Sequence, residues 1–147
     1  MSKGLVAKVS TTVGAPKKKV WDALVSPAAI KQYMFGADVV STWREGAPIV
    51  WKGEWKGKPY EDKGAIRRVE PEARLEYTHF SPLSGKPDVP ESYHTVTIEL
   101  ADDPARPGAA TRISLSQDNN PDEQSRQHSE QNWAAMFDAL TKYLEEA

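Results

Sequence analysis

The C-terminal part of the chain reads as one long amphipathic helix, and the rest of the sequence has to fold around it. Asn120-Pro121-Asp122-Glu123 supplies an N-cap, a proline where the first helical turn tolerates one, and acidic side chains that complement the helix dipole. Downstream, Trp133, Met136, Phe137, Leu140 and Leu144 recur at the i, i+3, i+4, i+7, i+11 spacing of a single face. A stripe of about three turns must be buried against another layer.

The sequence before it supplies strands for that layer. Leu5, Ala7, Val9 and Val13 alternate with Lys8, Ser10 and Thr12, the period-2 pattern of a half-buried strand. Gly14 ends it, and Pro16 opens a short helix carrying Val20, Trp21 and Leu24. Ser26-Pro27 caps and opens a second short helix, on which Ile30, Tyr33 and Met34 share a face. Beyond Gly36, strands are predicted over residues 38–43, 48–55, 60–70, 74–80, 92–101 and 110–117. Residues 81–90 contain three prolines and a glycine, cannot donate a continuous hydrogen-bond ladder, and are predicted to be a long loop.

This element order predicts an α+β, helix-grip fold: a curved antiparallel sheet of about seven strands wrapped around the long C-terminal helix, with two short helices after the first strand. At 147 residues the chain fits one domain over 1–147, in which about 68–70% of the unfolded chain's surface can be buried.

Alternation identifies the inward side chains. Ile49, Trp51 and Trp55 share a parity, as do Leu75, Tyr77 and His79; His94 goes with Val96, Ile98 and Leu100, and Gln117 with Ile113 and Leu115. Large aromatics with a few polar groups near strand ends suit the lining of a small-molecule cavity. They equally suit an ordinary packed core, and periodicity does not separate the two. His79 and His94 fall on the inward face, where an imidazole bonds a ligand, shuttles a proton, or is simply a satisfied structural group. No third inward histidine or HxxxH spacing accompanies them, so no metal is expected. Arg126 and Ser129 project onto the Trp133 face one to two turns nearer the helix start. There they would line a cavity mouth, with the guanidinium available to a carboxylate or phosphate, or to a surface ion pair with a sheet residue.

Composition removes several function classes. There is no cysteine, hence no disulfide, thiolate metal site or cysteine nucleophile. A net charge of −2, with Lys17-Lys18-Lys19 as the basic cluster, gives no footprint for nucleic acid. The start of the chain carries no apolar signal region, and no apolar stretch approaches the roughly 20 residues that span a bilayer. A cytoplasmic protein without membrane insertion is the expectation, and no cofactor is implied.

Ala15-Pro16 with Val20-Trp21-Asp22-Ala23-Leu24 and Ser26-Pro27 resembles the opening motif of the START-related, birch-pollen-allergen-like superfamily (SRPBCC). Gly64-Ala65-Ile66, Glu70-Pro71, Leu75-Glu76-Tyr77, the run Thr111 to Leu115, Asn132-Trp133 and Tyr143-Leu144-Glu145 are similar to the branch related to the C-terminal domain of the ninety-kilodalton heat-shock protein's ATPase activator. The resemblance implies a deep cavity between sheet and long helix, and so favours the pocket over the solid core. It does not transfer a chemistry, because one scaffold there hosts carriers, receptors, cyclases and chaperone regulators.

The leading expectation is a binding module for a small hydrophobic or amphipathic ligand. It would sit among Trp51, Trp55, Tyr77, Val96, Trp133 and Phe137, oriented by His79, His94 or Arg126, with Ser129 at the mouth and the 81–90 loop as a lid. Two alternatives remain: a stress-linked chaperone regulator acting by protein interaction, and a cyclase- or hydrolase-like enzyme using a pocket histidine as general base. No Gly-x-Ser-x-Gly elbow, glycine-rich phosphate loop or His-Glu-x-x-His supports the enzyme, which makes catalysis the less expected outcome.

Overall fold

The computed structural model describes residues 4–55, 57–82 and 85–146, apart from the side chains of Trp55 and Glu146. After β1 (Leu5–Val13), Pro16 in extended conformation leads into α1 (Lys17–Leu24), which buries Val20, Trp21, Ala23 and Leu24. In α2 (Pro27–Tyr33) the Ser26 hydroxyl accepts from the Ala29 N–H at 3.3 Å, with Pro27 in the first turn. The Tyr33 hydroxyl donates to the Ala23 carbonyl at 3.0 Å, tying the two short helices together; burial pushes its pKa up.

The remaining strands are β2 (Asp38–Ser41), β3 (Pro48–Trp55), β4 (Lys58–Glu70), β5 (Arg74–His79), β6 (His94–Asp102) and β7 (Thr111–Asn120). Among the described residues they form one antiparallel sheet in the order β1-β7-β6-β5-β4-β3-β2. The helix α3 (Glu123–Glu146) packs along β1 and against α2, burying Met136, Phe137 and Leu140 and half-burying Trp133 and Leu144. The predicted helix-grip architecture is the observed one. Among the described residues no helix is long and apolar enough to cross a membrane.

The start of α3 differs from expectation. Asn120 is the last residue of β7 and is buried, and the cap is Asp122, whose Oδ1 accepts from the Ser125 N–H at 2.8 Å. The Asn120 amide is used between strands instead, donating to the carbonyls of Leu5 (2.9 Å) and Gln117 (3.0 Å). Two local features shape the sheet near that point. Leu5 pairs with Asn120 but Ala7 with Gln117, so β7 carries an extra residue, and Asn119 takes the left-handed conformation (φ 61°). A second register shift lies in β4 between Ile66 and Arg68.

The free edge of β1 is covered by carboxylates from α3. Glu130 Oε2 accepts from the Lys8 N–H (3.0 Å) and Glu145 Oε2 from the Gly14 N–H (2.8 Å), which blocks strand addition at that edge.

Candidate functional site

A cavity of about 300 Å³ opens between the inner face of the sheet and the first half of α3. Met34 and Ala37 after α2, Trp51 of β3, Tyr60 and Asp62 of β4, Tyr77 and His79 of β5, His94 of β6 and Gln117 of β7 line it. Ser129, Asn132 and Trp133 line it from α3. Beneath it the interior is closely packed. The void among Leu24, Ile30, Leu75, Ile98 and Met136 measures about 10 Å³, too little for any organic ligand.

The polar groups form two connected sets. In the first, His79 Nε2 donates to Asp62 Oδ2 at 2.9 Å, while Asp62 Oδ1 is buried without a hydrogen-bond partner. Trp51 packs edge-on against the His79 ring (centroids 5.1 Å apart) and tilted against Tyr77 (5.2 Å). Burial, and then the Asp62 carboxylate, push the Tyr60 phenol up; burial does the same to Tyr77. The His94 ring stacks 6.3 Å from His79, and its Nδ1 meets the Asp118 carbonyl at 2.8 Å. A carbonyl only accepts, so Nδ1 carries the proton and the neutral ring keeps a lone pair on Nε2, which makes no hydrogen bond among the described residues. The Asp118 side chain completes this support by accepting from the Thr95 N–H at 2.6 Å.

The second set holds the helix to the sheet. Trp133 Nε1 donates to Gln117 Oε1, Gln117 Nε2 lies 3.5 Å from Ser129 Oγ, and Ser129 donates to Asn120 Oδ1 at 2.9 Å. The extra residue in β7 makes this possible, because it lets Gln117, Asp118 and Asn120 all turn toward the interior.

Of the side chains expected from sequence, Trp51, Tyr77, His79, His94, Ser129 and Trp133 meet at this cavity. Val96 (0% exposed) and Phe137 (2% exposed) instead pack in the core, deeper along the same inward face. Arg126 does not line the cavity: it pairs with Glu123 and with Glu130 (2.7 Å to the latter), and these carboxylates push its pKa up. Both partners are on α3 itself, so the guanidinium forms an ion pair, but within the helix and not with a sheet residue. The Trp55 side chain lies outside the described residues. Sequence reasoning missed Tyr60 and Asp62, although both share parity with the buried Ile66.

The loop after β5, described over residues 81–82 and 85–93, is tethered at the rim. Asp88 pairs with Lys63 and accepts from the Tyr93 hydroxyl at 2.6 Å, Phe80 stacks on Tyr93, and the Asn119 amide donates to the carbonyls of Glu91 and Tyr93. Lys86 of this loop lines an adjoining, more open groove of about 590 Å³ that shares His94 and Ser129 with the cavity. Among the described residues no three histidine or carboxylate side chains stand close enough to hold a metal ion.

Burial depresses the pKa of His94 most, His79 and Lys86 push the same way, and the hydrogen bond to the Asp118 carbonyl opposes them. With the folded value below the unfolded one, the unfolded chain takes up this proton first as the pH falls through about 6.5. Stability conferred by neutral His94 is therefore intact above that pH and declines on acidification toward the folded value. Urea midpoints measured against pH should fall below about 6.5 in the wild type and fall less steeply in His94→Gln. Parallel curves would contradict this account of His94.

Comparisons place the chain among known proteins. The solution structure of ChR145 from Cytophaga hutchinsonii is 53% identical, with a TM-score of 0.83 over 99% of this chain and 97% of that one. The crystal structure of MLL2253 from Mesorhizobium loti (20% identity, TM-score 0.76, 97% and 98% covered) shares the fold. So does the solution structure of the Aha1 dimer from Colwellia psychrerythraea (16% identity, TM-score 0.73, 96% of each chain). No curated protein sequence matches the chain significantly. The family model described as "Activator of Hsp90 ATPase homolog 1-like protein" matches residues 14–145. The chain therefore belongs to the activator of Hsp90 ATPase homolog 1-like family, a branch of the START-related superfamily.

Proposed function

We propose that this protein binds a small amphipathic molecule in the cavity between the sheet and α3. The observation that carries the reading is a preformed space of about 300 Å³ whose wall combines the rings of Trp51, Tyr77 and Trp133 with the open Nε2 of His94. That volume sits at the lower end of small-molecule sites. It suits a substituted ring or short chain, not a bulky lipid. The packed interior below gives the aromatic floor its rigidity, and the Trp133–Gln117–Ser129–Asn120 chain keeps α3 at a fixed distance from the sheet.

Native mass spectrometry after gentle purification, followed by a thermal-shift panel of small amphipathic compounds, tests this directly. A ligand at a hundred times its Kd adds about 2.7 kcal/mol of stability, and at about 2–4 °C per kcal/mol raises Tm by roughly 5–11 °C. An unliganded protein unmoved by every compound would contradict the proposal.

Membership of the family carries a second reading, contact with a ninety-kilodalton chaperone. Titrating the protein into its host's chaperone should then alter ATP hydrolysis. Absence of both binding and any change in hydrolysis would remove it.

A further inference from the structure

We infer that the occupant carries a positively charged, hydrogen-donating nitrogen: an arylalkyl or short alkyl ammonium, and not an organic acid. The inference rests on the binding reading above and specifies the chemistry of the same site.

Three features of the cavity wall converge on it. The first is charge. Asp62 is the one carboxylate among the described lining residues, and no lysine or arginine lines the space. Its Oδ2 holds His79 while Oδ1 has no partner, so the carboxylate reaches the cavity undersupplied with donors. A negatively charged ligand would meet this group with no lysine or arginine in the same wall to offset the repulsion, Lys86 lining the adjoining groove instead.

The second is the hydrogen-bond inventory. The indole N–H of Trp133 is committed to Gln117, the Nε2 proton of His79 to Asp62, and the Nδ1 proton of His94 to the Asp118 carbonyl. What His94 leaves over is a lone pair. The indole and imidazole protons are thus spent; the Tyr60 and Tyr77 hydroxyls and the Asn132 amide that also line the space can donate as well as accept, whereas His94 Nε2 can only accept and calls for a donor.

The third is the wall itself. Trp51, Tyr60, Tyr77 and Trp133 surround the space, and aromatic rings attract cations through their quadrupoles, most strongly where water is thinned out. A carboxylate beside four aromatic rings is an arrangement suited to an ammonium group with an apolar body. The body would lie against Trp51, Trp133 and Met34, and the nitrogen would donate toward His94 Nε2 within the field of Asp62.

Isothermal titration of the full chain with three matched probes separates the alternatives: 2-phenylethylamine, 2-phenylethanol and 3-phenylpropionate, at about pH 8, above the usual imidazole range. The ammonium should bind about tenfold or more tighter than the alcohol, and the carboxylate weakest. Raising the salt concentration should narrow the lead of the ammonium, and Asp62→Asn should bring its affinity close to that of the alcohol. The wild-type ranking alone is decisive if that variant folds poorly. Equal affinities for ammonium and alcohol, or a carboxylate that binds as well as either, would overturn the inference while leaving a binding cavity in place. Binding of none of the three overturns it as well, and the compound panel then decides whether the binding reading falls with it.

Discussion

A Gly64→Ala variant is expected to lose about 3 kcal/mol of folding stability, because Gly64 is the more tightly enclosed of the two strand glycines, Gly53 and Gly64. A β-carbon built at Gly64 lies 1.7 Å from the Thr78 carbonyl oxygen and 2.5 Å from its carbon. Both are backbone atoms of the neighbouring strand, so no side-chain rotation relieves the overlap, and β4 must part from β5. That seam also carries the Ala65 N–H to Thr78 Oγ1 hydrogen bond (2.9 Å) and the Lys63–Phe80 bridge beside it. Parting it would separate Asp62 from His79, so cavity and stability should fail together. At about 2–4 °C per kcal/mol, Tm should drop by roughly 6–12 °C. A urea titration showing a loss within about 0.5 kcal/mol, as for an ordinary surface substitution, would show that the strands can separate freely there.

Phe137→Ala should cost about 3–5 kcal/mol without redrawing the binding site. Phe137 is nearly fully buried in the cluster that includes Val96, Ile113, Met136 and Leu140, and it does not line the cavity. Truncation removes a ring from close-packed surroundings and leaves a void that the sheet and α3 can only partly close. Whatever fraction remains folded should bind a cavity probe with wild-type affinity. A variant of unchanged stability that had lost probe binding would place Phe137 in the cavity wall and reverse this assignment.

Phe137 also marks where sequence reading reached its limit. Alternation and helical spacing report which face a side chain occupies, so Trp51, Tyr77, His79, His94 and Trp133 were legible as inward-facing. They do not report position along the face. Val96 and Phe137 share the inward pattern but lie where the sheet and α3 meet without a gap. Arg126 was counted on the same helical face, yet its guanidinium is taken up by Glu123 and Glu130 of its own helix.

Asp62 and Tyr60 were obscured differently. In β4 polar residues occupy both parities, from Lys58 through Lys63, so contrast between faces disappears and only the register with Ile66 betrays them. The turn of Asn120 toward the interior was hidden by a backbone irregularity. An extra residue in β7 with Asn119 at positive φ breaks period-2 counting after Gln117, and the Asn-Pro-Asp run then imitates a helix cap two residues early. The fold survived these local departures because its long elements, β1 and α3 above all, carry strong periodic signals. The site did not survive whole, because it is assembled where such signals are interrupted.

A high-resolution crystal structure of the protein purified from its host without added ligand tests the central claim most directly. The account predicts density beyond water in the space bounded by Trp51, Tyr77, His79, His94 and Trp133. A cavity closed by its own side chains, or filled by ordered waters that satisfy Asp62 and His94 completely, would contradict it.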